Sequence, residues 1–512
     1  TLFRSRIMYL LKQAIKKLKI NAAAGPDRIP PLFVKQCCDT IIKPLSFLYS
    51  QFFEHGFLPP VWLLAYITPI FKKGDPASAS NYRPISLTCT LCKLMEIMIK
   101  NAVLKYLIAR KLISRQQHAF LQHHSTITNL LESAHDWAVL LDAGIPVDIV
   151  YIDFTRAFDS VVHRKLLTKL SSYGINGKLL LWIEAFLSNR SQSVVIESSF
   201  SEWCTVVSGV PQGSVLGPVL FIIYINDIVD NIGTNVSVNL FADDVKLYSR
   251  VDSLNFHILQ STIDAIVDWA DKWQLRINIS KSSVLHLGAR NAGLCYKIND
   301  SDLCTDCNPR DLGIIMDRKL SYDYHIETIV RQAYSRVGIL FKSFVSRDCD
   351  LLKRAYVTFI KPVLEYACSV WCPYKVKHIT AIEKIQRSFT RRIPSLRDLS
   401  YEERLARINL EPLEIRRLKF DLVLHFKISK GLTPFDNDLV FTSGQSTRAT
   451  RSHDQNLLIK PYCRTKVMEN DFFARRINCW NSLPSNVRNA RSILEFKKQI
   501  SVIDFSKFVQ IK

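Results

Sequence analysis

Two adjacent aspartates, Asp243 and Asp244, lie inside the otherwise mostly apolar stretch NLFADDVKLYS. Aspartate is a common turn former, so the pair by itself predicts only a solvated turn between two strands. A third aspartate, Asp153, comes at the end of VDIVYIDF, a β-branched and aromatic run that is typical of a strand. If these strands adjoin in one antiparallel sheet, the three carboxylates meet at its edge.

Carboxylates brought together repel one another, and their pKa values rise unless a cation binds them. Hard divalent ions such as Mg²⁺ prefer carboxylate and phosphate oxygens. Two such ions, about 3.5 to 4 Å apart, can activate an attacking hydroxyl and stabilise the leaving oxygen of a phosphoryl transfer. Asp153, Asp243 and Asp244 therefore point to nucleotidyl transfer that depends on two Mg²⁺ ions, for which Mn²⁺ could substitute.

Strands and helices must position these carboxylates. The residues on either side of Asp243 and Asp244 predict a hairpin, and a Gly- and Pro-rich loop, GVPQGSVLGP, precedes a helix predicted over residues 218–225. Apolar residues at three-and-four spacing predict a helix over residues 261–274. Further strands are predicted over residues 147–154, 275–279 and 284–287.

The remaining segments follow the same patterns. Upstream, a basic helix should end near Asn21, an apolar helix should cover residues 32–55, and YITPIFKKGDPASASNYRPISL predicts two strands joined by a basic turn. Other helices are predicted over residues 92–110, 125–143, 326–344, 351–366, 379–390 and 413–429, and directly after His163. A polar, turn-rich linker is predicted over residues 431–456.

Composition favours nucleic acid as the partner. The chain of 512 residues is 48% hydrophobic, enough for several compact units, and its 68 Lys and Arg against 46 Asp and Glu give a net charge of +22. A membrane is the competing polyanion, but the longest apolar run, VLGPVLFIIYI, is shorter than the roughly 20 residues of a spanning helix. We therefore expect no membrane partner.

The 13 cysteines are odd in number and scattered, which favours reduced thiols in an intracellular protein. Cys304 with Cys307, and Cys368 with Cys372, each offer half of a zinc site, but no second pair completes either half. The chain begins at Thr1 with a basic segment that could mimic a transit peptide. A fragment that starts inside a longer protein is the preferred interpretation.

FADD, YIDFTRAFDSV and GVPQGSVLGPVLF together resemble the palm motifs of reverse transcriptases from non-LTR retrotransposons. The resemblance to Jockey-like and related long interspersed elements covers nearly the whole chain and continues in PIFKKGDPASASNYRPISL, LRINISKSSVLHLG, DLGIIMDRKLSYDYHI, VLEYACSVW and CWNSLPSNV. It implies an α+β, right-hand polymerase fold. The domains would be a basic N-terminal helix (1–20), fingers (21–145), a palm with an antiparallel sheet and interleaved fingers elements (146–315), a helical thumb (316–430), and a linker with a small C-terminal extension (431–512).

The resemblance also implies roles for single residues. Asp153 and Asp243 would ligate both metal ions, and Asp244 would be the supporting acid. Lys281 would protonate the leaving pyrophosphate, although an ordinary exposed lysine in a turn would have the same local sequence pattern. The residues that would bind the nucleotide are Lys72, Lys73, Arg83, Phe158, Gln212 and Gly213.

Among these, Arg83 is preferred for the triphosphate because a guanidinium can bind phosphate bidentately, and which of Lys72 and Lys73 faces inward stays open. Phe158 would lie beneath the sugar and exclude a 2′-hydroxyl. Gln212 would position nucleotide and template. Asp159 is interpreted as a structural cap or ion-pair partner. In QHAFLQHHST the residues Ala119, His123 and His124 depart from the family's glycine and basic residue, so no template contact is predicted there. The basic thumb helices would bind the duplex phosphates. Trp371 and Trp480 are interpreted as core residues.

The implied function is an RNA-directed DNA polymerase that copies element RNA from a 3′-hydroxyl. Its partners would be the RNA template, dNTPs, and a DNA primer or nicked genomic target, with the upstream endonuclease domain absent from this fragment. It would act as a ribonucleoprotein in nucleus and cytoplasm. The alternatives are a group II intron- or telomerase-type reverse transcriptase, against which CWNSLP and VLEYACSVW argue, and a relic that binds RNA without catalysis, against which the intact aspartates argue.

Overall fold

The computed structural model describes residues 2–435 and 457–510. The first elements are α1 (Leu2–Lys16), α2 (Pro31–Gln36), α3 (Cys38–His55), β1 (Leu64–Phe71), β2 (Tyr82–Leu87), α4 (Thr90–Ala109) and α5 (Thr126–Asp142). The first helix ends at Lys16, before the predicted end near Asn21. The helix predicted over residues 32–55 is divided in two because the backbone leaves the helical conformation at Cys37 (φ −89°, ψ 14°).

The middle of the chain, residues 147–315, contains the strands of the sheet that carries the aspartates, together with other helices and strands. Its elements are β3 (Val147–Ile152), α6 (His163–Ser172), α7 (Gly177–Leu187), β4 (Arg190–Ile196), β5 (Ser199–Phe200), β6 (Cys204–Val206), α8 (Gly217–Ile225), β7 (Ser237–Phe241), β8 (Asp244–Arg250), α9 (Ser253–Trp273), β9 (Ser283–Leu287), β10 (Lys297–Ile298), β11 (Ser301–Asp302), β12 (Cys304–Thr305), β13 (Arg310–Asp311) and β14 (Ile314–Ile315). The strand order of this central sheet is β12-β9-β3-β8-β7, with β3 antiparallel to both neighbours.

Strand β3 lies at the centre of this sheet and is mostly apolar because both faces of the sheet are covered, with Asp148 as its buried charged residue. Side chains alternate along a strand, so Val150 and Ile152 enter a core shared with α8 and α9. Val147 and Ile149 enter a second core that includes residues of α5 and of the later helices. Helix α8 is buried on all sides, which explains its continuous apolar sequence.

Residues 275–279 do not form the predicted strand. Helix α9 is followed by Gln274 in a left-handed conformation (φ 58°), and a single bridge pairs Ile277 with Phe154. The segment instead bonds to the loop after β3: the Asn278 amide donates to the Asp153 carbonyl (2.7 Å), and the Thr155 amide donates to the Arg276 carbonyl (2.8 Å). It therefore supports the loop that carries Asp153 rather than extending the sheet.

A second sheet has the order β2-β1-β4-β5, with β6 also paired to β4. Strands β1 and β2 form the predicted hairpin, in register from Tyr66 with Leu87 to Phe71 with Tyr82. Strand β4 lies parallel to β1 and joins the hairpin to the segment that precedes the GVPQGSVLGP loop.

Beyond residue 316 the described chain is helical, with α10 (Asp323–Ser343), α11 (Cys349–Ala355), α12 (Lys361–Glu365), α13 (Cys368–Trp371), α14 (Val376–Arg391), α15 (Tyr401–Arg407) and α16 (Leu413–Ser429). The helix predicted over residues 351–366 is confirmed, since residues 349–365 are helical throughout, but its hydrogen-bond pattern changes in the middle. A π-type turn at Tyr356–Ile360 separates α11 from α12. Pro362 has no amide hydrogen, so the regular helical hydrogen bond at that position is missing and the register can widen there. The helix predicted over residues 413–429 is confirmed.

The C-terminal segments contain α17 (Lys466–Glu469), α18 (Phe472–Arg475), α19 (Ile477–Asn481), α20 (Ser485–Arg488) and α21 (Ile493–Ser501). Helices α19 to α21 share a core with Leu418, Leu422 and Phe426 of α16, whereas Phe472 and Phe473 of α18 belong to the second core. Trp371 and Trp480 are core residues, as predicted, at 0% and 1% exposure. Most of the predicted linker, residues 436–456, lies outside the described residues. None of the described helices combines the length and hydropathy needed to cross a membrane.

Candidate active site

Three aspartates meet at one end of the central sheet. Asp153 directly follows β3, and the register of β3 with β8 pairs Ile152 with Val245. The next residues along this register, Asp153 and Asp244, therefore adjoin. Asp243 lies in the two-residue turn that joins Phe241 to Asp244. The structure thus brings together the carboxylates that the sequence places 90 residues apart.

The turn that carries Asp243 is strained. Ala242, its first residue, has φ +56°, a left-handed conformation that non-glycine residues rarely adopt. Two-residue hairpin turns usually place glycine or asparagine at such a position. A strained backbone beside a carboxylate cluster must be held by the surrounding structure, and it sets the direction of the Asp243 side chain.

The carboxylates perturb one another. Burial raises the pKa of Asp243, the charge of Asp153 raises it further, and Arg83 and Lys72 partly oppose the shift. The pKa of Asp244 rises to about 7, first through loss of hydration and then through Asp243 and other nearby carboxylates. The Asp244 side chain is open to solvent, but only within a deep cleft, and the protein around it still reduces its hydration.

The donor set fits a divalent cation. Oδ2 of Asp153 is buried and accepts no hydrogen bond from the described residues, although Nζ of Lys281 lies 3.5 Å away. Burial and the neighbouring carboxylates raise the pKa values of Asp243 and Asp244, and a hard cation bound there would stabilise their ionised forms. Within residues 2–435 and 457–510, however, no three acidic, imidazole or thiol groups converge closely enough to hold an ion by themselves. Phosphate oxygens of a substrate would complete such a site.

The aspartates form the floor of a cleft of about 1310 Å³ between the two sheets. Nine of the ten predicted site residues line it: Lys72, Arg83, Asp153, Phe158, Gln212, Gly213, Asp243, Asp244 and Lys281. Lys73 does not line the cleft, although its neighbour Lys72 does. Arg156 also lines it, at a turn with φ +50°, and had not been predicted from the sequence.

Phe158 lies between two other aromatic rings. It stacks on Phe221 of α8, with ring centroids 4.2 Å apart, and Phe120 meets it edge-on at 6.5 Å. Its carbonyl accepts a hydrogen bond from the Val210 amide (2.8 Å). These contacts fix the ring on the wall of the cleft, where its size limits what can bind beside it.

The GVPQGSVLGP loop is anchored by Asp159. Oδ1 of Asp159 accepts a hydrogen bond from Nε2 of Gln212 (2.7 Å), and its carbonyl accepts one from the Ser208 hydroxyl (2.9 Å). Asp159 is therefore structural, as predicted, but through Gln212 rather than as a helix cap or an ion-pair partner. The two partners are 53 positions apart in the chain, so local sequence patterns do not show this contact.

The same loop is joined to the β1–β2 hairpin. The Ser86 amide donates to the Gln212 carbonyl (2.7 Å). Gly213 has φ +123°, and a Cβ at that position would lie 2.5 Å from the Ser86 carbonyl oxygen. Only glycine allows this approach, which places the loop against the strand that carries Arg83.

Glu96 of α4 supports the loop from below. Its side chain is fully buried, and Oε2 accepts hydrogen bonds from the amides of Val215 (2.7 Å) and Leu216 (2.9 Å). Burial raises the pKa of Glu96 above its ordinary value, although these amides oppose the shift. The only sequence signal is an acidic residue within the apolar helix LCKLMEIMIK.

Lys281 lies close to Asp153, with its Nζ 3.5 Å from Oδ2 of the carboxylate. Its side chain is 64% exposed, so this pair is a weak and reversible contact. The side chain is free to exchange the carboxylate for a phosphate in the cleft. The geometry allows both a charge-balancing role and the predicted proton transfer.

Comparison with known proteins agrees with this geometry. A family model described as reverse transcriptase (RNA-dependent DNA polymerase) matches residues 70–324. The RNA-directed DNA polymerase from the mobile element jockey of Drosophila melanogaster is 28% identical, over 75% of this chain and 43% of that protein. The probable RNA-directed DNA polymerase from transposon X-element of the same fly is 27% identical, over 74% of this chain and 43% of that protein.

Among solved structures, a telomerase from Candida albicans is similar at a TM-score of 0.39 and 10% identity, covering 72% of this chain and 68% of that chain. Residues 70–324, which the family model matches, contain both the aspartates and the loop of Gln212, so the cleft lies in a reverse transcriptase domain. Residues 70–324 therefore belong to the reverse transcriptases, and the chain as a whole is similar to the RNA-directed DNA polymerases of these mobile elements. It spans less than half the length of the curated relatives named above.

Proposed function

We propose that this chain is the RNA-directed DNA polymerase of a non-LTR retrotransposon, which copies element RNA into DNA. The observation that carries the proposal is the group of Asp153, Asp243 and Asp244 on the floor of a large cleft with basic residues on its walls. A nucleoside triphosphate has the negative charge that Lys72 and Arg83 attract, and a divalent cation would supply positive charge that stabilises the ionised aspartates.

The three aspartates would hold two Mg²⁺ ions, with Asp153 and Asp243 as the ligands and Asp244 as the supporting acid. When bound, the ions would activate the primer hydroxyl and stabilise the leaving oxygen. Arg83 and Lys72 would bind the triphosphate. Lys281 would give its proton to the leaving pyrophosphate.

Two further parts of the cleft would select the substrate. Phe158 would lie under the sugar and clash with a 2′-hydroxyl, so that deoxyribonucleotides are preferred. Gln212, held by Asp159, would orient the nucleotide against the template. Both residues line the cleft beside the aspartates.

The partners follow from this chemistry. The template would be the element RNA, and the primer a DNA 3′-hydroxyl, such as one exposed at a nicked genomic target. The net charge of +22 suits both polyanions. We propose that the protein works as a ribonucleoprotein in nucleus and cytoplasm.

The test is primer extension on an RNA template with Mg²⁺ and dNTPs. We expect extension by the parent, its loss in Asp243→Asn, and parental extension by Asp268→Asn, a matched change on the exposed face of α9. Binding of the template–primer duplex is measured alongside. If the parent binds duplex but extends nothing in any salt or metal condition, the chain is a nucleic-acid-binding protein and not a polymerase.

A further inference from the structure

Residues 116–118 lie beside the catalytic turn and form backbone hydrogen bonds with β7. The Leu240 amide donates to the Gln116 carbonyl, and the His118 amide donates to the Leu240 carbonyl, both at 2.9 Å. These bonds place Gln117 parallel to the last residues of β7, directly before the turn that carries Asp243. The segment adds a short edge to the sheet at the point where the catalytic carboxylates meet.

The side chain of Gln117 extends from this edge to the turn. It is 1% exposed, and its Oε1 accepts hydrogen bonds from the amides of Ala119 (2.9 Å) and Ala242 (3.0 Å). Two converging N–H donors require an oxygen at that position, which determines the orientation of the amide. Gln117 therefore binds the first residue of the catalytic turn from 125 positions away in the chain.

The bonded residue is the strained one. Ala242 has φ +56°, and Asp243 follows it directly. A conformation of this kind is unfavourable for a non-glycine residue and persists only where neighbouring groups impose it. The Gln117 carbonyl satisfies the Ala242 amide in that conformation, so it selects the strained turn over relaxed ones.

We propose that Gln117 is a positioning residue that holds the turn and so sets the place of the Asp243 carboxylate. The consequence for catalysis rests on the proposed function, because it requires Asp243 to act in nucleotidyl transfer. The effect of Gln117 on the conformation of the turn does not rest on the proposed function, since it depends only on hydrogen bonds within the protein.

Gln117→Leu keeps the size of the side chain but removes the acceptor, which leaves two buried amides unpaired. We expect the Ala242 amide to exchange with solvent at least about 10-fold faster, because opening of the turn no longer breaks this hydrogen bond. Displacement of Asp243 should lower kcat for primer extension roughly 10- to 100-fold, with KM for dNTP changed far less.

Two variants separate positioning from general packing. Gln116→Ala changes the neighbouring glutamine, whose side chain is exposed, and leaves the backbone bonds of the edge intact. It should match the parent in exchange and kcat. In Gln117→Leu, a second change of Ala242→Gly should recover part of the lost kcat, because glycine adopts φ +56° without strain. Should Gln117→Leu fail to fold, Gln117→Asn withdraws the oxygen by one methylene and keeps a polar amide.

The deciding experiment measures hydrogen exchange by mass spectrometry on peptides spanning residues 239–249, together with thermal unfolding and steady-state kinetics. Faster exchange confined to the turn, with a fall in kcat and rescue by Ala242→Gly, supports the proposal. Unchanged exchange in Gln117→Leu overturns it, as does an equal loss in Gln116→Ala. If the parent has no polymerase activity, the proposed function fails while the exchange result still decides the role of Gln117.

Discussion

At the scale of single residues, the central feature is the raised pKa of the clustered carboxylates Asp243 and Asp244. Asp244 has a pKa of about 7, far above its ordinary 3.8, because of reduced hydration and the neighbouring carboxylates. The sequence alone identified the three aspartates, since their strand and turn contexts are local. It could not show that Lys72 rather than Lys73 lines the cleft, because two adjacent exposed lysines have the same local pattern.

The raised pKa of Asp244 predicts how stability depends on pH in the metal-free protein. The folded state binds this proton more tightly than the unfolded chain, so the free energy of unfolding falls as the pH rises from about 4 to about 7. Asp244→Asn removes this penalty. It should raise Tm by a few degrees at pH 8 and leave Tm nearly unchanged at pH 4, as measured by differential scanning calorimetry with EDTA. A lower Tm at pH 8 would contradict the electrostatic account.

Phe158 predicts a specific change in substrate choice. Its ring is fixed between Phe221 and Phe120, so replacement by a small side chain opens space in the cleft. In Phe158→Ala the preference for dNTP over NTP, measured as the ratio of kcat/KM values, should fall roughly 10- to 100-fold. Phe200→Ala, a change of an exposed aromatic residue on β5, is the control and should keep the parental ratio. An unchanged ratio in Phe158→Ala would show that this ring does not exclude nucleotides with a 2′-hydroxyl.

At the scale of elements, the structure agrees with the sequence where the periodicity is strong. The β7–β8 hairpin and α16 both match their predicted places because their apolar patterns are unbroken. Residues 275–279 look like a strand, but their backbone bonds go to the loop of Asp153. The contacts of Asp159, Glu96 and Gln117 join segments far apart in the chain, and no local pattern shows them.

The anchoring of the GVPQGSVLGP loop gives a prediction about nucleotide binding. Asp159→Leu leaves the Gln212 amide without its charged acceptor, a hydrogen bond worth about 1.5–3 kcal/mol. KM for dNTP should rise roughly 10-fold or more, and Gln212→Leu should produce a similar rise. In the double variant the two effects should not add, with a coupling energy of about 0.5–3 kcal/mol. Additive effects would show that the two residues act separately.

At the scale of the whole molecule, the C-terminal segments connect distant parts of the chain. Asp142, at the end of α5, accepts hydrogen bonds from the amides of Arg464 and Thr465, and His135 pairs with Asp471 at 2.9 Å. Residues further along the chain, from Cys479 to Phe505, share a core with α16. The helices after residue 316 are therefore fixed both to the central sheet and to the end of the described chain.

The net charge of +22 predicts that duplex binding depends strongly on salt. A protein that neutralises about six phosphates should lose roughly 10³-fold in affinity between 50 and 200 mM salt. Fluorescence anisotropy with an RNA–DNA duplex measures this slope. Asp243→Asn should show the same slope as the parent, because it alters the metal site and not the basic surface. A slope near zero would contradict an interface built on phosphate contacts.

The most direct test of the account is the incorporation of one deoxynucleotide onto a primer annealed to RNA, measured in a single turnover with Mg²⁺ and with all duplex bound. We predict rapid incorporation by the parent and a loss of at least about 10³-fold in Asp243→Asn, with duplex affinity unchanged. Equal rates in the parent and in Asp243→Asn would contradict the central claim that the carboxylates at the end of the sheet carry out the transfer.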